Sequence, residues 1–230
     1  MSHAAVLFDL DGTLLDTLED IADSTNQVLA SFGFTTHPTA SYKLFVGDGE
    51  DMLATRALPE GHRDAATVSR TVVLFHEVYS KRWANRTRPF PGIPSLLDSL
   101  VRDGIRLAIL SNKAQKFAEA AVSRLLGQWS FEVVLGAQPS LPVKPSPEGA
   151  LRIARKMALP PARFLYVGDS GVDMRTAASA GMYPVGALWG YRGQAELKAS
   201  GALTLIATPE ELLTVLSLSE NRPGGDRKDR

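Results

Sequence analysis

The stretch Val6-Leu7-Phe8-Asp9-Leu10-Asp11-Gly12-Thr13-Leu14 decides the fold, because a short apolar strand ends in it at two carboxylates. Open α/β sheets bind ligands at the carboxyl ends of their strands. Side chains alternate faces along a strand, so Asp9 and Asp11 reach one crevice only if the chain bends, and Gly12 permits that bend. Neighbouring acids repel each other unless a cation or a shared proton intervenes, and Mg²⁺ suits such oxygen ligands. The stretch therefore predicts a metal or catalytic site at this turn.

Further along the chain, short apolar runs alternate with amphipathic stretches, which is the pattern of parallel strands joined by crossover helices. The expected strands are residues 5–10, 106–110, 131–135 and 163–167, with shorter ones near 183–188 and 202–206. Apolar residues at helical spacing, or a run rich in alanine, predict crossover helices over residues 113–126, 147–157 and 170–180. The fold class is therefore predicted to be α/β with a parallel sheet.

Residues 17–88 break this alternation, because their apolar residues recur at helical spacing and no strand stands out. We interpret them as an inserted helical domain. A cluster of prolines and a glycine, from Pro89 to Pro94, marks the return of the chain from the insertion. The predicted organisation is a core of residues 1–16 and 89–218, a helical insertion of residues 17–88 and a disordered tail of residues 219–230.

Composition and charge limit the partners of the protein. The chain of 230 residues has 25 basic and 25 acidic residues, so we expect neither nucleic acid nor a membrane as a partner, but a small substrate. It has no cysteine, which excludes disulfides and thiolate chemistry. No apolar run suits a signal peptide or a membrane span, so we expect a cytoplasmic protein, either a monomer or a homodimer.

Three later motifs also place polar side chains after predicted strands. Ser111 and Asn112 follow the second strand, and Lys144 stands between prolines ahead of a helix. Asp169 follows the fourth strand, and Asp173 lies one helical turn later on the same face. A hydroxyl, an amide and an ammonium suit phosphate oxygens. Each motif alone fits a helix cap or a turn, but four of them in this order favour a common active site.

The four motifs resemble those of the haloacid dehalogenase superfamily, and the resemblance covers nearly the whole chain. They stand at Asp9-Leu10-Asp11-Gly12-Thr13, Ser111, Lys144, and Gly168-Asp169-Ser170 with Asp173. The resemblance implies a Rossmann-like core with an α-helical cap domain inserted after the first motif, in agreement with the break over residues 17–88. Finer features look like the phosphoglycolate phosphatase group, namely Asp16-Thr17, Val46-Gly47-Asp48-Gly49, Arg56-Ala57-Leu58, Ser111-Asn112-Lys113 and Gly190-Tyr191-Arg192.

What this resemblance implies is a Mg²⁺-dependent phosphatase acting on a small phosphorylated metabolite such as 2-phosphoglycolate. Asp9 would be the covalent nucleophile and Asp11 the proton donor and acceptor. The implied Mg²⁺ ligands are the Asp9 carboxylate, the Asp11 backbone carbonyl, Asp169 and, directly or indirectly, Asp173. The implied phosphate-binding residues are Gly12, Ser111, Asn112 and Lys144. The cap would meet the substrate through Gly47, Asp48, Gly49 and Arg56.

The charge of the cap adds one hypothesis, which is that an arginine such as Arg56, or Arg192 of the core, pairs with a substrate carboxylate. The same motifs also fit other functions. They include hydrolysis of pyrophosphate or nucleotides, and a sugar phosphomutase, which needs the same Asp9 and Asp11. A dehalogenase does not need Asp11. From a different class, a phosphometabolite-binding protein without activity is the alternative, and a broad panel of phosphate esters would separate it from an enzyme.

Overall fold

The structure, a computed structural model, describes residues 3–220, except for the side chains of residues 219 and 220. In chain order its strands are β1 (Ala5–Phe8), β2 (Leu15–Asp16), β3 (Arg88–Pro89), β4 (Arg106–Ala114), β5 (Phe131–Ala137), β6 (Phe164–Gly168), β7 (Tyr183–Ala187) and β8 (Thr204–Ile206). Six of them form a parallel sheet in the order β5-β4-β1-β6-β7-β8. The remaining two, β2 and β3, form a separate antiparallel pair. The predicted α/β class is confirmed.

Helices cover both faces of this sheet. In chain order they are α1 (Leu18–Ser31), α2 (Tyr42–Phe45), α3 (Glu50–Ala57), α4 (Ala65–Arg82), α5 (Ile93–Arg102), α6 (Gln115–Leu125), α7 (Glu148–Lys156), α8 (Gly171–Ser179), α9 (Gln194–Ala199) and α10 (Glu211–Glu220). One apolar cluster joins the sheet to α5, α6 and α10, and a second joins it to α7 and α8. The core therefore has three layers, which is why its strands are apolar on both faces.

Strand β1 shows how the sequence builds these layers. All four of its residues are buried. Val6 and Phe8 pack into the cluster under α5 and α6, whereas Ala5 and Leu7 pack into the cluster on the opposite face. Alternate side chains of a strand point to opposite faces, so an unbroken apolar run is what a central strand requires. This arrangement fixes the end of β1, and with it Asp9, at the middle of the sheet.

Helices α1 to α4 build apolar clusters of their own on one side of the sheet's carboxyl edge. One cluster contains Tyr42, Phe75 and Tyr79 and reaches Phe117 of α6, and another is centred on Leu29 and Leu58. We refer to α1–α4 and their connections as the cap. Strands β2 and β3 carry the chain out of the core and back. The domain boundaries at residues 17 and 88 stay a prediction.

The buried carboxylate of Asp20 in α1 secures the return of the chain. It accepts hydrogen bonds from the backbone amides of Arg86 and Thr87, at 3.0 Å and 2.8 Å, and from Thr87 Oγ1 at 2.7 Å. A carboxylate that accepts several such bonds is well compensated for its burial. The first helix of the cap and the last loop before β3 are thereby joined.

The ends of several elements differ from the prediction. β4 continues to Ala114, so Ser111, Asn112 and Lys113 belong to its last part and α6 begins only at Gln115. α10 runs to Glu220, so residues 219 and 220 are helical. The rest of the predicted disordered tail, residues 221–230, lies outside the described residues. Within the described part of the chain, no helix combines the length and apolar character needed to cross a membrane.

Helix α5 offers a test of the packing under the sheet. Leu100 is fully buried in the larger apolar cluster, whereas its neighbour Val101 is 47% exposed. We expect Leu100→Ala to lower the free energy of unfolding by about 2 to 5 kcal/mol, because it removes buried methyl groups and leaves a cavity. Val101→Ala should change it by less than about 0.5 kcal/mol. Urea unfolding followed by circular dichroism measures both, and equal losses would contradict this packing.

Candidate active site

The carboxyl ends of three neighbouring strands bring the predicted polar side chains together. β1 lies between β4 and β6 in the sheet. Asp9 follows β1 directly, Ser111 lies in the last part of β4, and Asp169 follows β6. Lys144 comes from the loop before α7, and Asp173 from the first turn of α8. Parallel strands present their carboxyl ends at one edge, so the sheet order itself assembles this group.

Three of the four predicted metal ligands form a buried acidic cluster. One carboxylate oxygen from each of Asp9, Asp169 and Asp173 lies within 4.8 Å of the others, and all three residues are buried. Burial, followed by the charge of Asp173, raises the pKa of Asp9 well above its ordinary value, while Lys144 lowers it. Burial and Asp173 also raise the pKa of Asp169, to about 7. Keeping all three carboxylates ionised is therefore unfavourable, and a cation bound among them would stabilise the cluster.

Lys144 supplies one such cation from within the protein. Its Nζ lies 2.8 Å from Oδ1 of Asp9 and 2.7 Å from Oδ1 of Asp173, and its side chain is 2% exposed. Burial alone would lower the pKa of Lys144, but Asp173 and Asp9 raise it well above its ordinary value. The lysine is thus a fixed ammonium that neutralises one of the three carboxylates. The remaining acid charge calls for further positive charge.

The acids differ in how many of their oxygens the protein already uses. Both oxygens of Asp173 are already engaged. Its Oδ2 accepts hydrogen bonds from the backbone amide of Ser170 at 3.1 Å and from Ser170 Oγ at 2.5 Å, and its Oδ1 accepts one from Lys144 Nζ. Asp169 accepts one bond on each oxygen, from Thr13 Oγ1 and the Tyr191 amide. Each oxygen of Asp169 therefore retains a lone pair for a further contact.

Asp9 is engaged on one side only. Its Oδ1 accepts from the Leu10 amide at 2.7 Å and lies beside Lys144 Nζ, whereas Oδ2 accepts no hydrogen bond from the described residues. The oxygens left open on Asp9 and Asp169 fit a hard divalent cation, which prefers oxygen ligands.

Three glycines make room for these acids. An added Cβ at Gly12 would lie 2.5 Å from Asp169 Oδ2, one at Gly190 would lie 2.2 Å from Asp169 Cβ, and one at Gly168 would lie 2.3 Å from Asp173 Cβ. Gly12 also has φ of +87°, which side chains with a Cβ rarely adopt. The backbone therefore approaches the acids as closely as only glycine allows.

Asp11, the fourth predicted metal ligand, has its carboxylate elsewhere. Lys113 Nζ donates to both of its oxygens, at 3.0 Å and 3.2 Å, and also to the hydroxyl of Tyr79 in the cap at 2.8 Å. The structure does not bring the Asp11 carboxylate into the acidic cluster. Burial alone would lower the pKa of Lys113, but Asp11 and Tyr79 raise it. An ammonium from the core and a phenol from the cap therefore fix the predicted proton donor.

Ser111 and Asn112 have different surroundings. Ser111 is buried at the cavity, and its Oγ accepts from the Lys113 amide at 3.2 Å, so its hydroxyl hydrogen can still serve a ligand. The Asn112 side chain instead forms hydrogen bonds with two loops. Its Nδ2 donates to the carbonyls of Gly47 and Lys144, both at 3.0 Å, and its Oδ1 accepts from the Lys144 amide at 2.8 Å. Asn112 thus positions Lys144 and the cap loop, and its amide is not free for phosphate.

A cavity that opens to solvent lies between the cap and these residues. Asp9, Asp11, Ser111, Lys113 and Lys144 line it from the core, and the predicted loop residues Gly47 and Gly49 line it from the cap. Asp48 and Arg56 do not line it. Arg56 Nη1 lies 2.6 Å from Asp48 Oδ2 and also donates to the carbonyls of Leu44 and Phe45. Asp48 and Arg56 therefore fix the loop without lining the cavity.

The family model of haloacid dehalogenase-like hydrolases matches residues 6–187. The chain belongs to this family. A phosphoglycolate phosphatase of Psychrobacter arcticus is 32% identical over 198 residues, which cover 83% of this chain and 86% of the relative. A plasmid-borne phosphoglycolate phosphatase of Cupriavidus necator is 32% identical over 221 residues, which cover 95% of each chain.

Solved structures place the fold in the same family of haloacid dehalogenase-like hydrolases. A crystal structure from Lactobacillus delbrueckii subsp. bulgaricus, described as a candidate phosphoglycolate phosphatase, superposes with a TM-score of 0.87 at 28% identity. The match covers 94% of this chain and 99% of the other. The predicted resemblance to this superfamily and to its phosphoglycolate phosphatase group is therefore confirmed.

Two residues of this hydrolase site were not predicted from the sequence. The sequence marks Lys113 only as the last residue of the Ser111-Asn112-Lys113 motif, and this position directly after Ser111 and Asn112 is the available signal. Tyr79 gave no local signal, because it stands within a helix of the cap and reaches the site only through the packing of α4 on the core.

The contact between Gly168 and Asp173 gives a prediction for this site. We expect Gly168→Ala to lower the free energy of unfolding by about 1 to 3 kcal/mol, because the added methyl group must displace Asp173. Gly61→Ala is the matched control, since an added Cβ there meets no atom within 4 Å. That variant should stay within about 0.5 kcal/mol of the parent. Urea unfolding of both proteins checks this, and an unchanged Gly168→Ala protein would refute the close approach.

Proposed function

We propose that this protein is a Mg²⁺-dependent hydrolase of small phosphate monoesters that works through an aspartyl phosphate on Asp9. The observation that carries the proposal is the state of Asp9. It lines the cavity, its Oδ1 is fixed by the Leu10 amide and Lys144, and its Oδ2 accepts no hydrogen bond from the described residues. A carboxylate held on one oxygen and open on the other is arranged to act as a nucleophile.

In the first step, Oδ2 of Asp9 attacks phosphorus, and the bond from phosphorus to the alcohol oxygen breaks. Asp11, which must be in its carboxylic acid form at this point, gives its proton to the departing alkoxide. Lys113 and Tyr79 keep the Asp11 carboxylate beside the cavity for this transfer. Such proton transfer contributes about 10² to 10⁴ in rate when the donor is well placed.

In the second step, water attacks the phosphorus of the aspartyl phosphate, and the bond between phosphorus and Asp9 breaks. Asp11 now accepts the proton of that water and returns to its starting state. Splitting one hydrolysis into two displacements lowers each barrier.

The remaining groups balance the charges of the nucleophile and the phosphate. Asp169, the backbone carbonyl of Asp11 and one lone pair of Asp9 Oδ2 would hold Mg²⁺, while the other lone pair of Oδ2 remains for the attack on phosphorus. The cation would shield the anionic nucleophile from the anionic phosphate. Lys144 offers its fixed ammonium, and Ser111 its hydroxyl, to the phosphate oxygens. Asp173 orients Lys144, since both of its oxygens are already engaged. The names of the curated relatives support a phosphatase and make 2-phosphoglycolate the first ester to assay.

Replacing the nucleophile tests the proposal directly. We expect Asp9→Asn to reduce hydrolysis of small phosphate esters on the order of 10³-fold or more, because the amide cannot form the acyl phosphate. Removing Mg²⁺ from the parent protein with a chelator should have a similar effect, reversed by adding Mg²⁺. Phosphate release over a panel of esters measures both.

The control is Asp98→Asn in α5. The Asp98 carboxylate accepts a hydrogen bond from Trp129 Nε1 and does not line the cavity, and an amide oxygen can still accept that bond. This variant should keep the parent rate. A folded Asp9→Asn protein that hydrolyses esters at the parent rate would overturn the proposal, and equal rates with and without chelator would remove the metal from it.

The proposed role of Asp11 predicts a dependence on the leaving group. Asp11→Asn should slow the hydrolysis of alkyl phosphates by about 10² to 10⁴-fold, because an alkoxide needs a proton to leave. Nitrophenolate leaves without one, so p-nitrophenyl phosphate should still give a rapid burst of one nitrophenolate per enzyme, followed by slow turnover. Stopped-flow absorbance records the burst. If the burst disappeared along with alkyl ester hydrolysis, Asp11 would have another role.

A further inference from the structure

The side chain of Arg192 extends from the acidic cluster to the cap. The two residues before it contact the cluster, because the Tyr191 amide donates to Asp169 Oδ2 at 2.8 Å and an added Cβ at Gly190 would lie 2.2 Å from Asp169 Cβ. At the other end of the side chain, Arg192 Nη2 donates to the carbonyl of Val46 at 2.9 Å. The guanidinium therefore lies where the core meets the cap loop.

The loop that Arg192 contacts is part of the cavity wall. Val46 and Gly47 both line the cavity. Arg192 does not line it, but its guanidinium lies beside these two residues, since an added Cβ at Gly47 would lie 3.9 Å from Arg192 Nη2. Gly47 has no side chain to fill this space, so a ligand at this part of the wall can approach the guanidinium.

One nitrogen of Arg192 has no partner in the protein. The side chain is only 10% exposed, its Nε lies 3.3 Å from Glu196 Oε2, and its Nη2 bonds to the Val46 carbonyl. Nη1 is buried and has no hydrogen-bond partner among the described residues. Buried polar groups in folded proteins are almost always paired, so this nitrogen calls for a further acceptor. A carboxylate is the acceptor that a guanidinium binds best.

Arg56, the other arginine considered for a substrate carboxylate, is already committed. Its Nη1 lies 2.6 Å from Asp48 Oδ2 and donates to the carbonyls of Leu44 and Phe45. Of the two arginines, Arg192 is therefore the one with an unpaired buried donor beside the cavity wall.

The other charged side chains of the cavity lining also have partners. Lys144 lies between two carboxylates of the acidic cluster, and Lys113 bonds to Asp11. Glu50, an acid that the cap contributes to the lining, lies with Oε2 2.6 Å from His76 Nε2. An anionic group on the alcohol part of a substrate is therefore best accommodated on the side of the wall where Arg192 lies.

We propose, on the basis of the function given above, that Arg192 is a specificity-determining residue whose Nη1 binds a carboxylate on the alcohol part of the substrate. The preferred substrates are then phosphate monoesters of small hydroxy acids. With the phosphate beside Asp9 and Lys144, the alcohol part extends toward the cap loop, and a carboxylate next to Gly47 meets the guanidinium. Arg192 has no part in the chemistry at phosphorus, so its loss should change the choice of ester.

The experiment compares kcat/KM for 2-phosphoglycolate and 2-phosphoglycolamide, in which an uncharged amide of the same shape replaces the carboxylate. With Mg²⁺ present, the parent protein should prefer 2-phosphoglycolate by about tenfold or more, because the amide gives the guanidinium no anionic partner. Arg192→Gln should reduce this preference by about tenfold, mainly through a lower kcat/KM for 2-phosphoglycolate.

Arg56→Gln is the matched control, because it removes an arginine that contacts the same cap loop. A shift of the loop affects both esters alike, so this variant should keep the preference of the parent protein. Arg175→Gln removes an exposed arginine of α8 that does not line the cavity, and it should change neither rate.

Two results would overturn the inference and leave the proposed function intact. One is a parent protein that hydrolyses the amide as well as the acid, a comparison that needs no variant. The other is a folded Arg192→Gln protein that loses both esters in equal proportion or neither, since Arg192 would then only support the loop. If a folded parent protein hydrolysed neither these nor other phosphate esters, the proposed function itself would fail.

Discussion

The proposed active site depends on one buried ammonium. Lys144 is 4% exposed and lies within 2.8 Å of two carboxylates, Asp9 and Asp173, at the edge of an apolar sheet. Removing either partner from such an arrangement leaves an uncompensated buried charge, at a cost of about 3 to 5 kcal/mol. Neighbouring residues keep Lys144 and Asp173 in these positions. Asn112 fixes the backbone of Lys144, Ser170 fixes Asp173, and Gly168 leaves the space in which Asp173 lies.

A second ammonium, on Lys113, links the core to the cap. It holds Asp11 from the core side and receives its remaining hydrogen-bond partner, Tyr79, from α4. Tyr79 in turn stacks on Phe75 and meets Phe117 edge to face, so its position depends on how the cap packs against α6. The acid that would move the proton is therefore placed by both parts of the molecule. A change in cap position would alter Asp11 without touching the acidic cluster.

The sequence predicted the core of the site because its signals are local. An apolar strand that ends in Asp9, or in Asp169, carries its own evidence, and parallel sheet order brings such ends together. Helix α5 was not predicted, although Ile93, Leu96, Leu97 and Leu100 follow helical spacing. The prolines beside them were interpreted as the return of the chain from the helical insertion. The surroundings of Asn112 and Tyr79 were beyond prediction, since each is set by a partner distant in sequence, namely Gly47 and Lys113. The pairing of Arg56 with Asp48 was beyond prediction as well, because it depends on how the loop before α3 folds.

The division between core and cap also explains why related sequences need not share a substrate. The groups proposed to act on phosphorus, from Asp9 to Lys144 and Asp169, belong to the core and are fixed by charges that tolerate little change. The side chains that face the alcohol part, such as Leu53, Phe75 and Glu50, belong to the cap, where exchanging one apolar or charged group leaves the acidic cluster intact. About one third identity over most of the chain is therefore compatible with the same chemistry and a different leaving group. Selectivity has to be argued from the cap wall of this protein itself, which Leu53, Phe75 and Glu50 line, together with Arg192 beside it.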